Sequence, residues 1–142
     1  MIAKAKTSRV IRATTLAPPS DASAYGRDLD NWPRSWMGLE KDLPPGEQLL
    51  ACFRPFIEHL ASSSLTPKTI SRHVDNLWLL GGEIIRDLHY DPSLRKVAAE
   101  KLLRKVVHED GGPLVHSGSE DEQRSFDSTC RKLHRFLTQS QP

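Results

Sequence analysis

The chain has 142 residues, 37% of them hydrophobic and 27% charged, with a formal net charge of +2. That is the length of one domain with some tail to spare and a modest core, and a charge this close to balance does not by itself announce a nucleic-acid binder. No apolar run approaches the ~20 residues of a membrane span. The basic start MIAKAKTSRVIRATTLAPPS lacks the continuous apolar stretch of a secretory signal, although an acid-free, Arg-bearing start also suits an organelle transit peptide. The cytoplasm is the expected compartment, with Cys52 and Cys130 as reduced thiols on apolar helix faces.

Residues 1–44 are expected to form a basic, Pro-rich, mostly irregular arm. Residues 1–20 carry Lys4, Lys6, Arg9 and Arg12 and no acid, for +4, whereas residues 21–65 sum to −3 and residues 66–142 to +1. Pro18, Pro19, Pro33, Pro44 and Pro45 interrupt any long helix. Within the arm, NWPRSWMGL brings Trp32, Trp36, Met37 and Leu39. These either cover the end of the core or present an aromatic contact to a partner.

From residue 45 the pattern turns helical. Leu49, Leu50, Phe53, Phe56, Ile57 and Leu60 share one face at spacings of three and four, and Pro55 inside that helix predicts a kink or a split. Thr66 is an N-cap with Pro67 at the first helical position, where its missing N–H costs nothing. The stripe Ile70, Val74, Leu77, Gly81, Ile84, Leu88 predicts about five turns. Gly81 lies in the buried phase, where a missing side chain lets another helix approach, and the period survives across Gly81-Gly82. Asp91-Pro92 repeats the cap-and-proline device before Leu94, Ala98, Leu102, Leu103 and Val106, and Gly111-Gly112-Pro113 ends that helix. Ser119 with Glu122 fits a capping box. The last stripe is Phe126, Cys130, Leu133 and Leu137. The expectation is an all-α, compact four-helix bundle over 45–138, with a frayed tail at 139–142.

Enzymatic signatures are missing. The two glycine pairs lack the flanking pattern and the preceding strand of a phosphate loop. Neither HExxH nor paired CxxC occurs. Cys130 and His134 are four apart on one helix, but Cys130 belongs to the apolar face and no second ligand pair accompanies it. The histidines are scattered at helix ends and boundaries, and no two carboxylates stand alone in an apolar stretch. The expectation is a non-enzyme with no cofactor and no metal.

Two cationic constellations remain. At the start of the second helix, Lys68 and Arg72 lie on one exposed face with Thr69 and His73, next to the free N–H groups of a helix N-terminus. On the last helix, Arg124, Arg131 and Arg135 fall opposite the apolar face with Lys132 beside them, in a line that would track a phosphate backbone. For each, an ordinary solvated polar face is the competing explanation. The mixed charges of Arg95, Lys96, Lys101, Arg104 and Lys105 with Glu100, Glu109 and Asp110 read as a salt-bridged surface.

FRPFIEHLASSSLTPKTISRHVDNLWLL resembles the core-binding, SAM-like helical domain of tyrosine recombinases, the phage integrases. The residues that carry the resemblance are Phe56, Ile57, Leu60, Leu65, Thr66, Thr69, Ile70 and Leu77. It departs from the family at His73, where an aromatic Tyr is common, and at Pro55. The chain ends where the catalytic domain would begin, and neither Tyr25 nor Tyr90 lies in the corresponding context. The resemblance therefore implies a four-helix domain that clamps duplex DNA without cleaving it, with Lys68, Thr69 and Arg72 at phosphates and the last-helix arginines as a second contact, in a protein associated with a mobile element. The leading expectation is a DNA-binding protein using Lys68, Thr69, Arg72, His73, Arg124, Arg131, Lys132 and Arg135, helped by the basic arm. The alternative is a protein-interaction bundle (an adaptor, an antitoxin-like regulator or a complex subunit) anchored by Trp32, Trp36 and Met37, with Trp78 on the rim.

Overall fold

The computed structural model describes residues 28–115 and 118–139. Lys4, Lys6, Arg9, Arg12, Tyr25 and His116, and the last three residues of the expected tail, lie outside the described residues. Among the described residues five α-helices follow one another: α1 Trp32–Trp36, α2 Leu43–Ala61, α3 Pro67–Tyr90, α4 Ala99–Val106 and α5 Glu120–Gln139. Among the described residues there is no strand, only an isolated bridge between His108 and Gly111. Among the described residues no helix is long and apolar enough to cross a membrane.

Local chemistry accounts for most helix starts. The Thr66 hydroxyl accepts from the Thr69 amide at 3.2 Å and Pro67 opens α3. The Ser119 amide donates to Glu122 Oε1 at 2.7 Å while the Glu122 amide donates to Ser119 Oγ at 3.2 Å, a complete capping box at the head of α5. Three 3-10 turns, Leu29–Asn31, Glu40–Asp42 and Pro92–Lys96, supply the other connections.

α2 is the central helix and packs against α1, α3 and α4, while α5 packs along α3. Phe53, Phe56 and Ile57 of α2, Ile70, Leu77, Leu80 and Ile85 of α3, Leu103 of α4 and Phe126 and Leu133 of α5 are almost wholly removed from solvent. Each such side chain contributes roughly 1.5–3 kcal/mol by burial. Those on α2 and α3 far outnumber the rest, so these two helices hold the centre of the core.

Three expectations need correction. Residues 28–44, assigned to the irregular arm, belong to the body: Leu29, Trp32, Pro33 and Trp36 are buried and α1 is a helix of its own. Pro33 is the second residue of α1, and Pro44 and Pro45 fall in the first turn of α2. There a proline gives up no intrahelical hydrogen bond, so these residues start helices instead of breaking them. Second, the helix expected after Asp91 is divided. The Asp91 carboxylate takes the Ser93 amide and hydroxyl, the 3-10 turn ends at Lys96, and Val97 and Ala98 are extended before α4 begins. Ala98, placed in the apolar stripe, is exposed. Third, α2 continues through Pro55 without a split. The unbroken run of α3 across Gly81-Gly82 matches its apolar period.

Candidate nucleic-acid interface

The seam between α3 and α5 decides where the cationic residues go. Three of the four buried polar or charged residues among the described ones, His73, Asn76 and Thr129, meet along it. The Asn76 amide donates to Ser125 O at 3.2 Å, Ser125 Oγ at 3.1 Å and Thr129 Oγ1 at 2.9 Å, and His73 Nδ1 lies 2.7 Å from Thr129 Oγ1. Pairing 76 with 125 and 73 with 129 makes the two helices antiparallel. Thr129 Oγ1 thus joins His73 to Asn76 across the seam, and it also donates to Ser125 O at 3.4 Å.

His73 is therefore not a DNA contact. It is 2% exposed and its ring is a seam residue. Burial, followed by the positive charges of Lys132 and Arg72, pushes its pKa down to about 4. A base held below its unfolded value of 6.5 makes the fold fully stable above that pH. Stability is then lost as pH falls from 6.5 to 4, because the unfolded chain takes up the proton and the folded one does not. The expected loss across this window is on the order of 2–3 kcal/mol. Urea midpoints measured from pH 7 to pH 4 check it. A His73→Leu variant should show a flatter profile over the same range.

The same pairing gathers cations that are sixty residues apart in sequence. Arg72 of α3 and Lys132 of α5 both act on the His73 ring. Lys132 and Arg135 line a cleft of about 260 Å³ at the end of α2, with His59, Ser63, Ser64, Leu65 and Phe136. Its floor is aromatic: the rings of His59 and Phe136 are 5.1 Å apart and those of Phe56 and Phe136 5.4 Å. Ser63 Oγ is already engaged, donating to Leu60 O at 2.6 Å and accepting from the Leu65 amide at 3.2 Å. Lys68, Arg72 and Arg135 are exposed and Lys132 is half-buried. None of the four has an acidic partner among the described residues.

The other sequence-predicted residues are placed differently. Thr69 is half-buried and its hydroxyl accepts from Thr66, so it serves the cap. Arg124 pairs with Asp121 beside the acidic first turn of α5, about three turns from Arg135. Arg131 is half-buried. By helical phase it points away from the flank that carries Lys132 toward α3. Cys130 is buried, and burial, with Asp127 adding to it against Arg131, pushes its thiol up to about 12. Cys52 is half-buried and both cysteines are free. Among the described residues no three His, Cys, Asp or Glu side chains are grouped to hold a metal ion.

The proposed partner anchors also change. Trp32 and Trp36 are 7% and 9% exposed and both stand edge-on to Phe53, with centroids 6.4 and 6.3 Å away. Trp36 Nε1 donates to Trp78 O at 2.9 Å. These two rings join α1 to the core and are not free to anchor a partner. Met37 is half-buried and Trp78 remains 40% exposed.

Sequence reasoning missed His59 and Ser64 in the basic cleft, and a buried ionic centre elsewhere. Asp42, 1% exposed, accepts from the Gly38 and Leu39 amides at 2.8 and 3.0 Å, from His89 at 2.8 Å and from Arg95 at 2.7 Å. No local pattern joins these residues.

Comparison with protein-family models, with curated proteins and with solved structures finds no match to this chain.

Proposed function

We propose that this protein binds duplex nucleic acid through its phosphates, using Lys68 and Arg72 of α3 together with Lys132 and Arg135 of α5. The observation that carries the reading is the gathering, across the antiparallel α3–α5 seam, of cations from two separate segments at one end of the molecule, without acidic partners among the described residues. Cations on a convex helix face alone would be solvated singly. Cations brought together from two helices present several contacts at once to a polyanion, whose released counterions supply the affinity. The free amides at the start of α3 favour the same ligand. The resemblance of residues 53–80 to an integrase core-binding domain points the same way, toward clamping without strand cleavage and an origin in a mobile element. Base readout forms no part of this reading, so affinity should be largely independent of sequence.

Fluorescence anisotropy of labelled random-sequence duplex DNA at several salt concentrations tests it. Wild-type protein should bind at micromolar concentration or tighter at low salt, with a steep negative log–log salt slope. Lys68→Ala/Arg72→Ala and Lys132→Ala/Arg135→Ala should each weaken binding and flatten the slope by about 2, one per lost phosphate contact. Arg124→Ala, already paired with Asp121, should change it least. No binding at low salt, or slopes in both double variants unchanged from that of the wild type, would sink the proposal.

A further inference from the structure

A second cleft, of about 500 Å³, opens between α3 and the segment leading into α1, and its chemistry is opposite to that of the basic end. Its wall is Trp78, exposed although the other two tryptophans are buried. The ring is held in place. Its Nε1 donates to Ser35 Oγ at 2.8 Å, Ser35 Oγ donates to Trp32 O at 2.7 Å, and the Trp78 carbonyl accepts from Trp36. A rigid, half-open indole offers contact area with little ordering left to be done on binding. Asp28 and Asp75 line the same cleft, and neither carboxylate has a cationic partner among the described residues. Asp75 is exposed, and partial burial of its carboxyl still pushes the pKa up.

An anionic ligand would meet two carboxylates here, and an apolar one would bury them without partners. A cation would satisfy both carboxylates and lie on the indole face. We propose that this cleft, between Trp78, Asp28 and Asp75, binds an arginine or lysine side chain presented by a basic peptide segment of a partner protein. A chain has room to continue past the anchored residue. Asp75 and Leu79 also line an adjoining cleft of about 300 Å³ that leads to Arg72. Arg72 at that end disfavours a second cation, so the flanking peptide residue on that side is uncharged or acidic. The site is separate from the Lys132–Arg135 cleft, and neither proposal depends on the other.

Isothermal titration calorimetry with the full chain decides it. The probe is a capped pentapeptide, Gly-Ser-Arg-Gly-Ser, compared with the same peptide carrying glutamine in place of arginine. The arginine peptide should bind saturably below millimolar concentration and the glutamine peptide should not. Asp75→Asn and Trp78→Ala should each weaken binding by about tenfold, whereas Trp78→Phe, which keeps an aromatic face, should retain most of it. Both positions are exposed, and circular dichroism verifies that the variants fold. Absence of saturable binding, equal affinity for the two peptides, or unchanged affinity in both Asp75→Asn and Trp78→Ala overturns the proposal.

Discussion

Asp42→Ala will destabilise the protein by about 3 kcal/mol, a large part of the ~5–15 kcal/mol that holds a domain folded. The carboxylate has no exposure of its own and receives four donors: two amides of the turn before α2, His89 near the end of α3, and Arg95 of the turn before α4. Burial alone would raise its pKa. The Leu39 amide, Arg95, the Gly38 amide and His89 together outweigh that and hold it well below the usual carboxylate range. Removing the acceptor leaves the Arg95 side chain, 83% buried, without its anion and two amides unpaired. Arg95 and His89 keep some access to water, at 17% and 35% exposure, which places the loss at the lower end of what breaking a buried pair costs. The acid limb carries its own signature. A carboxyl depressed in the fold contributes fully above its ordinary value of 3.8 and its contribution disappears as pH falls below that. Wild-type stability should therefore drop again below pH 4, beneath the His73 window. Asp42→Asn should lack that second drop. Urea midpoints between pH 7 and pH 2.5 resolve the two limbs.

Gly81→Ala is expected to cost about 1–3 kcal/mol, even though alanine is the better helix former by about 1 kcal/mol. A methyl group at residue 81 would stand inside the Trp36 ring, 2.6 Å from Cε2 and closer still to Cζ2 and Cη2. The ring has nowhere easy to go. It lies tilted 5.8 Å from Trp32 and edge-on 6.3 Å from Phe53, and its N–H is tied to Trp78 O. The neighbouring position supplies the control. A methyl at Gly82 would meet Trp36 Cδ1 at 3.6 Å, an ordinary contact, so Gly82→Ala should be neutral or stabilising by up to about 1 kcal/mol. Thermal or urea melts of the pair should shift in opposite directions. Gly81→Ala alone should red-shift the tryptophan emission as Trp36 is displaced toward water.

What the sequence disclosed divides along the range of the interactions. Thr66-Pro67, Ser119 with Glu122, and the apolar stripes of α2, α3 and α5 act within a few residues, and all were legible. The prolines misled because their effect depends on position: Pro33, Pro44 and Pro45 lie in first turns, and α1 was lost with them. The break at Val97-Ala98 was hidden for a different reason. Its cause is partly distant, since Arg95 is drawn to Asp42 and to the Lys41 carbonyl at 3.3 Å. The residue types of the candidate interface were readable, but their meeting was not, because only the pairing of α3 with α5 joins Arg72 to Lys132. His73 was misassigned although its phase was available. It stands three residues after Ile70 and three before Asn76, on the apolar side of α3, and Thr129 lies on the matching side of α5. Polar residues in the buried phase of two helices were the unused signal.

That polar seam has a consequence for how the chain finds its structure. Leucine against leucine tolerates sliding, since one apolar contact replaces another at little cost. His73, Asn76, Ser125 and Thr129 do not: sliding α5 against α3 breaks the hydrogen bonds that join these four side chains in one alignment. The seam thus works as a combination lock, in which α5 can approach α3 in many alignments and close in one. It spends some of the stability an apolar seam would have, and in return fixes which cations stand beside which.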